Sequence, residues 1–263
     1  MLNQTQTQTD VMDVARARAL QATLGAVPSI DFGHRLPPFF HQIYFWDAQT
    51  AAALGRDGHP ATPAFIGDLG LPRRMWAAGK CVFHNPLFAG SKATRTSMIE
   101  GVTRKDGRSG PLAFVRLRHD IKQRGALALS EWQELVYRPD ENSAPPDPQV
   151  APTDETATRQ MTYDSTHLFR YSALTFNGHR IHYDADYARN VEGYAGLVVH
   201  GPLHAHMLMA LAEAQMGPLT EFSYRAVSPV IVGEAVAYCW KDGALWARGT
   251  DGRLVMSGVA KGG

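Results

Sequence analysis

Short apolar runs, rich in β-branched and aromatic residues, fill two separate stretches of the chain. Runs of this kind that are bounded by turn residues are typical of antiparallel strands joined by hairpins. Residues 104–107 and 123–125 have turn composition in the first stretch, and Asp242-Gly243 and Asp251-Gly252 have it in the second. The predicted strands span 80–83, 93–103, 111–121 and 126–137 in the first stretch, and 222–225, 234–241, 244–250 and 253–259 in the second.

Two segments have the composition of helices. Residues 11–24 are rich in Ala, Leu and Arg, which are good helix formers, whereas the Gln- and Thr-rich first ten residues are expected to be frayed. Residues 202–215 are apolar around most of the helix circumference, with Gly201 as the predicted N-cap and Pro202 in the first helical position. Such a helix must be buried on most sides, and a curved antiparallel sheet wrapped round it provides that burial.

A proline-rich segment separates the two β stretches. The run DENSAPPDPQVAPTDET holds four prolines and few large apolar residues, as linkers do. A short echo supports two related halves, because 86–90 (PLFAG) and 229–233 (PVIVG) each lead into a strand pair. The predicted organisation is an N-terminal domain of residues 1–138, a linker of 139–160 and a C-terminal domain of 161–263.

The overall charge excludes several classes of partner. The chain has 26 basic and 25 acidic residues, so its formal net charge is +1, and neither nucleic acid nor an anionic membrane surface is expected to bind it. The first residues, MLNQTQTQTD, lack the apolar core of a signal peptide, and no apolar stretch is long enough to span a bilayer. The two cysteines, Cys81 and Cys239, form no disulfide or metal-binding pattern, which favours a reducing, cytoplasmic location.

Residues able to do acid–base chemistry concentrate in two segments. Residues 169–184 (FRYSALTFNGHRIHYD) combine two His, two Arg, an Asn and an Asp, and residues 196–203 (GLVVHGPL) lead into the apolar helix. A histidine suits proton transfer near neutral pH, because its unperturbed pKa is about 6.5. The N-terminus of a helix offers free N–H groups and the positive end of its dipole to a developing negative charge.

These segments resemble the MaoC-like (R-hydratase) family of double hot-dog enoyl-thioester hydratases and dehydratases. In that family a D-x-N-P-x-H motif places a catalytic acid and a His five residues apart, as Asn177 and His182 are here, and a Val-His-Gly run opens the central helix, as His200-Gly201 does. The sequence FNGHRIHYD is closest to the hydroxyacyl-thioester dehydratase type 2 subgroup. The first half resembles the bacterial members in Leu36-Pro37-Pro38, Asp57-Gly58-His59-Pro60 and residues 71–77 (LPRRMWA).

The resemblance implies an α+β tandem hot-dog fold, with two antiparallel sheets, each wrapped round a helix, and a degenerate N-terminal half. It also implies reversible hydration of an acyl-CoA, with itaconyl-CoA or mesaconyl-C4-CoA hydratases, which yield citramalyl-CoA, as the most similar members. Such a reaction needs no metal or redox cofactor, since coenzyme A is part of the substrate. Hot-dog proteins usually pair their sheets, so the resemblance leaves a homodimer open.

The same comparison suggests roles for individual residues. His182 would move the proton, assisted by Asn177, and the backbone N–H of Gly201 would hold the thioester oxygen. Asn177 departs from the Asp of the wider family, and an amide cannot accept a proton at neutral pH, so the proton transfer falls to His182. Arginines suit a substrate carboxylate or the phosphates of coenzyme A. The candidate substrate-binding residues are Arg73, Arg74, Arg170, Arg180, Val199 and His200.

Several alternatives stay open at this level. A 3-hydroxyacyl-thioester dehydratase of fatty-acid synthesis would need a long apolar tunnel, a thioesterase would release free thiol, and a binding module would hold acyl-CoA without turnover. Asn177 alone would also fit a turn cap, and His182 and His200 would fit buried structural histidines. The four-residue spacing of His200 and His204 raises a metal site, although no HExxH pattern or thiolate accompanies it.

Overall fold

The computed structural model describes residues 4–60, 66–107, 110–140 and 147–263. The helices are α1 (Val14–Thr23), α2 (Ser165–Thr175), α3 (Ala185–Asn190) and α4 (Gly201–Met216), with 3₁₀ turns at Phe40–Ile43, Ala51–Ala53 and Arg180–His182. The strands are β1 (Thr5–Val11), β2 (Arg73–Phe83), β3 (Lys92–Gly107), β4 (Gly110–Gln123), β5 (Ala126–Arg138), β6 (Ala157–Thr162), β7 (Leu219–Ala226), β8 (Ala235–Lys241), β9 (Ala244–Gly249) and β10 (Leu254–Gly262).

The ten strands form one antiparallel sheet in the order β1-β3-β4-β5-β2-β7-β10-β9-β8-β6. The first five belong to the N-terminal half and the last five to the C-terminal half. The halves join where β2 pairs with β7, in a register that runs from Ala78 opposite Arg225 to Val82 opposite Glu221. Because this pairing is continuous, the two halves share one sheet, and a cavity between them is lined by both.

The two halves repeat one topology. The echoing segments 86–90 and 229–233 form the equivalent connections β2–β3 and β7–β8, and each ends on a glycine with positive φ, Gly90 at 81° and Gly233 at 90°. Each connection pairs with another segment of its own half, through the bridges Arg35–Phe88 and Val198–Ile231. The sequence echo therefore corresponds to a structural repeat.

The two halves differ in the element that follows this bridged segment. The bridges Arg35–Phe88 and Val198–Ile231 occupy equivalent places in the two halves. After the second bridge the chain enters the long helix α4, whereas after the first it forms only the 3₁₀ turn Phe40–Ile43. The C-terminal sheet is thus filled by a helix, and the N-terminal sheet has space in front of it.

Helix α4 fills the core of the C-terminal half. Its residues Leu203, Met207, Leu208 and Met209 are each at most 1% exposed, as expected for a helix that is apolar on nearly every face. It packs against strands β7 to β10. No helix within the described ranges is long and apolar enough to cross a membrane.

Some sequence predictions need correction. Residues 5–10, predicted as part of a frayed end, are not frayed, because Thr5–Val11 forms β1 and pairs along its length with β3; residues 1–3 lie outside the described residues. Helix α1 consequently begins at Val14 rather than at residue 11. Strand β6 begins at Ala157, inside the range predicted as linker. The helix N-cap is His200, with Gly201 as the first helical residue. The turn predicted at 104–107 belongs to β3, whose connection to β4 lies outside the described residues.

Candidate active site

A cavity of about 540 Å³ lies between the two halves, at the N-terminal end of α4. Six of the residues singled out from the sequence line it: Arg73, Arg74, Asn177, His182, Val199 and Gly201. Further lining comes from β3, β4 and β5 of the N-terminal half. A pocket at the junction of two domains, next to a helix N-terminus, is a common position for a ligand site.

His182 is held by its ring nitrogen Nδ1. It ends the 3₁₀ turn Arg180–His182, is 6% exposed, and donates from Nδ1 to the carbonyl of Val198 at 2.7 Å. That bond places the proton of the neutral ring on Nδ1, so Nε2 carries the free lone pair. Nε2 makes no hydrogen bond within the described part of the chain. Burial lowers the pKa of His182 to about 4, although the bond to Val198 opposes the shift.

The ring of His200 stacks against the ring of His182. The two imidazole rings stack with their centres 3.6 Å apart and 18° between their planes. His200 is fully buried, and its Nε2 is hydrogen-bonded to the hydroxyl of Ser172 at 2.8 Å. It does not line the cavity, and burial lowers its pKa well below the usual range. His200 is therefore placed to fix the plane of the His182 ring rather than to touch a ligand.

The N-terminus of α4 presents one free donor to the cavity. Pro202 has no N–H, and the N–H of Leu203 bonds back to the His200 carbonyl. The N–H of Gly201 has no backbone acceptor among the described residues. A Cβ at Gly201 would lie 2.9 Å from the Trp76 ring. Glycine is therefore required here for α4 to approach Trp76 as closely as it does.

Asn177 has a structural role that the structure makes visible. It follows Phe176, which ends α2 in the left-handed conformation, and its Oδ1 accepts a hydrogen bond from the backbone N–H of His179 at 3.0 Å. The Asn177 side chain thus shapes the loop that carries His179 and His182. This contact agrees with the turn-cap interpretation and leaves the proton transfer to the histidines.

The N-terminal half adds a loop to this site. The backbone N–H of Arg180 donates to the Asp57 carbonyl at 2.9 Å, so residues 55–60 lie directly on the 177–182 loop. Gly58 has φ +84°, and a Cβ there would lie 2.0 Å from the carbonyl oxygen of Gly178. Two glycines facing each other permit this contact, and bulkier residues would separate the loops.

Gly58→Ala tests the contact between the two loops. We expect it to lower kcat/KM by about 100-fold, since a displacement of about 1 Å in a catalytic loop has effects of that size. Gly33→Ala is the matched control: Gly33 has φ +79° and no neighbour within 4 Å of the built Cβ. Equal losses in the two variants, measured by steady-state kinetics and thermal unfolding, would show that backbone strain alone is responsible.

Asp57 and His59 lie close to the catalytic loop. His59 Nδ1 lies 3.1 Å from the Asp57 carboxylate, and its ring centre lies 4.6 Å from that of His179. Burial would raise the pKa of Asp57, but hydrogen bonding and attraction to His59 lower it to about 2. Burial, followed by repulsion from His59 and His182, lowers the pKa of His179 to about 2. The Asp57 carboxylate thus lies within 4.8 Å of a ring nitrogen of His179, in the loop in which the wider family has Asp and this chain has Asn177.

The structure separates the candidate arginines. Arg73 is buried and forms an ion pair with Glu192 at 2.5 Å, and Arg74 lines the cavity beside His59. Arg180 does not line the cavity, because its guanidinium binds Asp184 at 2.7 Å and lies over the Tyr187 ring. Arg170 is exposed on α2, also away from the cavity. The structure thus brings Arg73 and Arg74 to this cavity and places Arg170 and Arg180 outside it.

Some of the site residues were missed from the sequence, and one alternative loses support. His59 appeared only as part of a family-like tetrapeptide, and Arg95, which also lines the cavity, gave no local signal. His200 and His204, bonded through one ring nitrogen each to Ser172 and to the Tyr238 hydroxyl, do not belong to any group of three metal-binding side chains among the described residues. The donor atoms of Asp57, His59 and His179 do lie within 4.8 Å of one another.

Comparison with known sequences identifies relatives. The hydroxyacyl-thioester dehydratase type 2 family matches residues 39–232. The chain is 43% identical over 237 residues to the mesaconyl-C(4)-CoA hydratase of Chloroflexus aurantiacus, covering 87% of this chain and 83% of that protein. It is 27% identical over 239 residues to the mitochondrial hydroxyacyl-thioester dehydratase type 2 of Schizosaccharomyces pombe, covering 80% of each.

Solved structures agree on the fold. A MaoC-like dehydratase from Phytophthora capsici superposes with a TM-score of 0.71 at 14% identity, over 100% of this chain and 96% of that one. A Mycobacterium tuberculosis protein with a double hot-dog fold superposes with a TM-score of 0.63 at 13% identity, over 99% and 95% of the chains. The predicted tandem hot-dog fold with a degenerate N-terminal half is confirmed. The expectation of two sheets, each with its own helix, needs correction, because the sheets are joined into one and only the C-terminal half has the long central helix.

Proposed function

Because the chain belongs to the hydroxyacyl-thioester dehydratase type 2 family, we propose that it catalyses the reversible hydration of an unsaturated C5-dicarboxylic acyl-CoA to citramalyl-CoA. It is an enzyme of the hydratase and dehydratase class. Mesaconyl-C4-CoA is the preferred substrate, since its double bond is conjugated with the thioester, and itaconyl-CoA is the alternative. Citramalyl-CoA as product gives the enzyme a role in itaconate degradation.

One observation carries the proposal: a neutral imidazole with a free Nε2 and a free helix N–H line the same cavity. His182 supplies the first, because its Nδ1 is bonded to Val198. Gly201 supplies the second. Addition of water to a conjugated thioester needs a base for the water and a donor for the thioester oxygen, and these two groups meet both needs.

In the proposed reaction, one water molecule is added across the double bond. His182 Nε2 takes a proton from water, the water oxygen bonds to the β-carbon, and the electrons of the double bond move onto the thioester oxygen. The Gly201 N–H holds that oxyanion, a role worth about 3–4 kcal/mol in other enzymes. The proton returns to the α-carbon, which restores the thioester. Asn177 keeps the loop of His182 in place throughout.

The remaining features of the proposal concern ligands and location. The steps above use only groups of the protein and water, so we propose no metal or redox cofactor. Arg74, which lines the cavity, is the candidate for the phosphates of coenzyme A or the substrate carboxylate. Nucleic acid and membranes are not proposed as partners, and a homodimer is the assembly to test. A cytoplasmic location is supported by two unpaired, buried cysteines, Cys81 and Cys239.

The test is mass-spectrometric turnover of a panel of thioesters. The panel contains mesaconyl-C4-CoA, itaconyl-CoA, crotonyl-CoA and a long-chain enoyl-CoA, and free thiol is measured in parallel. We expect the mass of the dicarboxylic substrates to increase by one water, with kcat/KM at least about 10-fold above that of crotonyl-CoA, since a missing charged contact is worth that much. Turnover of the long-chain enoyl-CoA alone would identify the enzyme as a dehydratase of fatty-acid synthesis. Release of thiol would make it a thioesterase, and binding without reaction would make it a binding module.

A further inference from the structure

The part of the cavity formed by the N-terminal half carries several polar side chains among apolar ones such as Ile66, Leu117 and Leu135. Its lining there includes Gln8, Arg95, Ser97, His119 and Gln133, which come from β1, β3, β4 and β5. Ser97 and His119 are paired across β3 and β4, with His119 Nδ1 2.7 Å from the Ser97 hydroxyl. A fatty-acyl tail placed here would remove these groups from water without replacing their hydrogen bonds, which is unfavourable. The wall therefore fits a short acyl group that carries a polar end.

Arg95 is the cation of this wall, and only part of its guanidinium is satisfied. Nη2 donates to Gln8 Oε1 at 2.5 Å and to the Phe45 carbonyl at 3.0 Å. Nε is buried without a hydrogen-bond partner, and Nη1 makes no hydrogen bond within the described residues either. Arginine has five N–H donors and stays charged in proteins, so open donors on a buried guanidinium indicate an acceptor still to be supplied.

The nearby carboxylates do not supply that acceptor. Within the described ranges no carboxylate forms an ion pair with Arg95, and Asp47, which also lines the cavity, acts on it only from a distance. Glu131 accepts hydrogen bonds from Gln42 at 2.6 Å and from Gln133 at 2.9 Å. Asp10 is held by Arg16 at 2.9 Å. Burial lowers the pKa of Arg95, and only the more distant attraction of acids such as Glu131 opposes this.

The other positive groups that line the cavity are less suited to a carboxylate. Arg73 is already paired with Glu192. His119 is neutral at physiological pH, since burial lowers its pKa to about 4. Arg74 lies on β2 opposite Tyr137 of β5, and its charge acts on His59. A carboxylate entering the N-terminal part of the cavity would thus meet Arg95.

We propose that Arg95 binds the second carboxylate of the acyl group and so selects dicarboxylic over monocarboxylic thioesters. The effect of Arg95 on turnover rests on the proposed function, whereas its effect on the binding of the thioester does not. In this arrangement the C-terminal half supplies the chemistry, through His182 and Gly201, and the N-terminal half, which lacks a long central helix, supplies the selectivity. A bidentate guanidinium–carboxylate pair in a buried site is strong enough for that purpose.

The first measurement is binding of two saturated thioesters that the enzyme cannot hydrate, succinyl-CoA and butyryl-CoA. They differ by the terminal carboxylate that Arg95 would bind. We expect the wild type to bind succinyl-CoA roughly 10- to 100-fold more tightly, and Arg95→Met to lose that preference, because hydrogen bonds to charged groups have effects of this size. Arg95→Lys, which keeps the charge without the planar fork, should retain part of it.

The control is Arg116→Met. Arg116 lies on β4 with its side chain 52% exposed and paired with Glu100, outside the cavity. It should leave both affinities unchanged. Thermal unfolding shows whether each variant is folded, and Arg95→Lys remains informative if Arg95→Met is not. A wild type without preference for succinyl-CoA, or variants that weaken both ligands equally, would overturn the inference.

The second measurement separates this inference from the proposed reaction. Values of kcat/KM for mesaconyl-C4-CoA and crotonyl-CoA are compared between the wild type and Arg95→Met. A selective loss on the dicarboxylic substrate supports both. If the wild type hydrates neither substrate but still prefers succinyl-CoA through Arg95, the reaction is wrong and the binding role of Arg95 stands.

Discussion

Replacing His182 with Ala is expected to lower kcat for hydration of mesaconyl-C4-CoA by about 10²- to 10⁴-fold, the usual range for loss of a general base. The physical reason is the free lone pair on Nε2, which the bond from Nδ1 to Val198 maintains. The substrate should still bind, since the Gly201 N–H and the arginines are unchanged. Stopped-flow absorbance and equilibrium binding measure the two effects separately.

Controls exclude a loss of structure. His84→Ala removes an exposed histidine at the end of β2 and should leave kcat within about twofold, as surface substitutions usually do. His182→Gln retains a polar side chain but cannot act as a base, so its kcat should be as low as that of His182→Ala. A His182→Gln enzyme with near wild-type kcat would show that His182 only positions the loop.

The pH profile gives an independent check on His182. Burial lowers the pKa of this histidine to about 4, so the neutral, active form persists well below the usual histidine range. Activity after a rapid pH jump should therefore decline only near pH 4, and the decline should be absent from the residual activity of His182→Ala. A midpoint near 6.5 would mean that a different, solvated histidine is the base.

Patterns of neighbouring residues were sufficient to predict those elements that depend on local interactions, such as turns and single helices. The hairpin turn at Asp242-Gly243 was predicted from two residues, and both have positive φ, 49° and 86°. The buried helix α4 was predicted from its apolar composition and the glycine–proline start. In the same way, the motif spacing predicted that Asn177 and His182 lie in one loop, because residues only five positions apart stay close in space.

Contacts between distant parts of the chain were not visible in this way. Strand β1 reads as a polar tail of alternating Thr and Gln, and it is a strand because β3 pairs with it. The packing of His59 against His179 depends on the fit of Gly58 to Gly178, for which a single sequence has no periodic signal. Likewise, which N–H groups of Arg95 lack a hydrogen-bond partner depends on how Gln8 and Phe45, distant in sequence, are placed around it.

The sequence already contained a partner for Arg180. Asp184 lies four residues after it, and an Arg–Asp pair at that spacing commonly forms an ion pair in a helical turn. That partner occupies the guanidinium and turns it away from the cavity. Charged candidates for a binding site should therefore be checked first against oppositely charged residues three or four positions away.

Acid is expected to destabilise the fold strongly between about pH 6.5 and pH 4. Four histidines of the C-terminal half, His182, His200, His204 and His206, are at most 6% exposed. Burial lowers all four pKa values, to about 4 for His182 and about 3 for His204 and His206. The unfolded chain, with histidine pKa values near 6.5, therefore binds more protons than the folded one in this interval.

The sign and size of the effect follow from proton linkage. The stability is fully present above about pH 6.5 and decreases as the pH falls towards the folded pKa values. Each of these histidines contributes a slope of up to about 1.4 kcal/mol per pH unit. Urea unfolding followed by tryptophan fluorescence at pH 8, 6.5, 5.5 and 5 measures the slope. A free energy of unfolding that stays constant from pH 6.5 to 5 would contradict the prediction.

His206 isolates one contribution to that slope. Its two ring nitrogens have no hydrogen-bond partner among the described residues, and the ring packs edge-on against Phe39 and Phe40. His206→Leu keeps an apolar contact and removes the titrating group, so the slope should fall by about 1.4 kcal/mol per pH unit. His34→Ala, which removes an exposed histidine outside that core, is the control and should leave the slope unchanged.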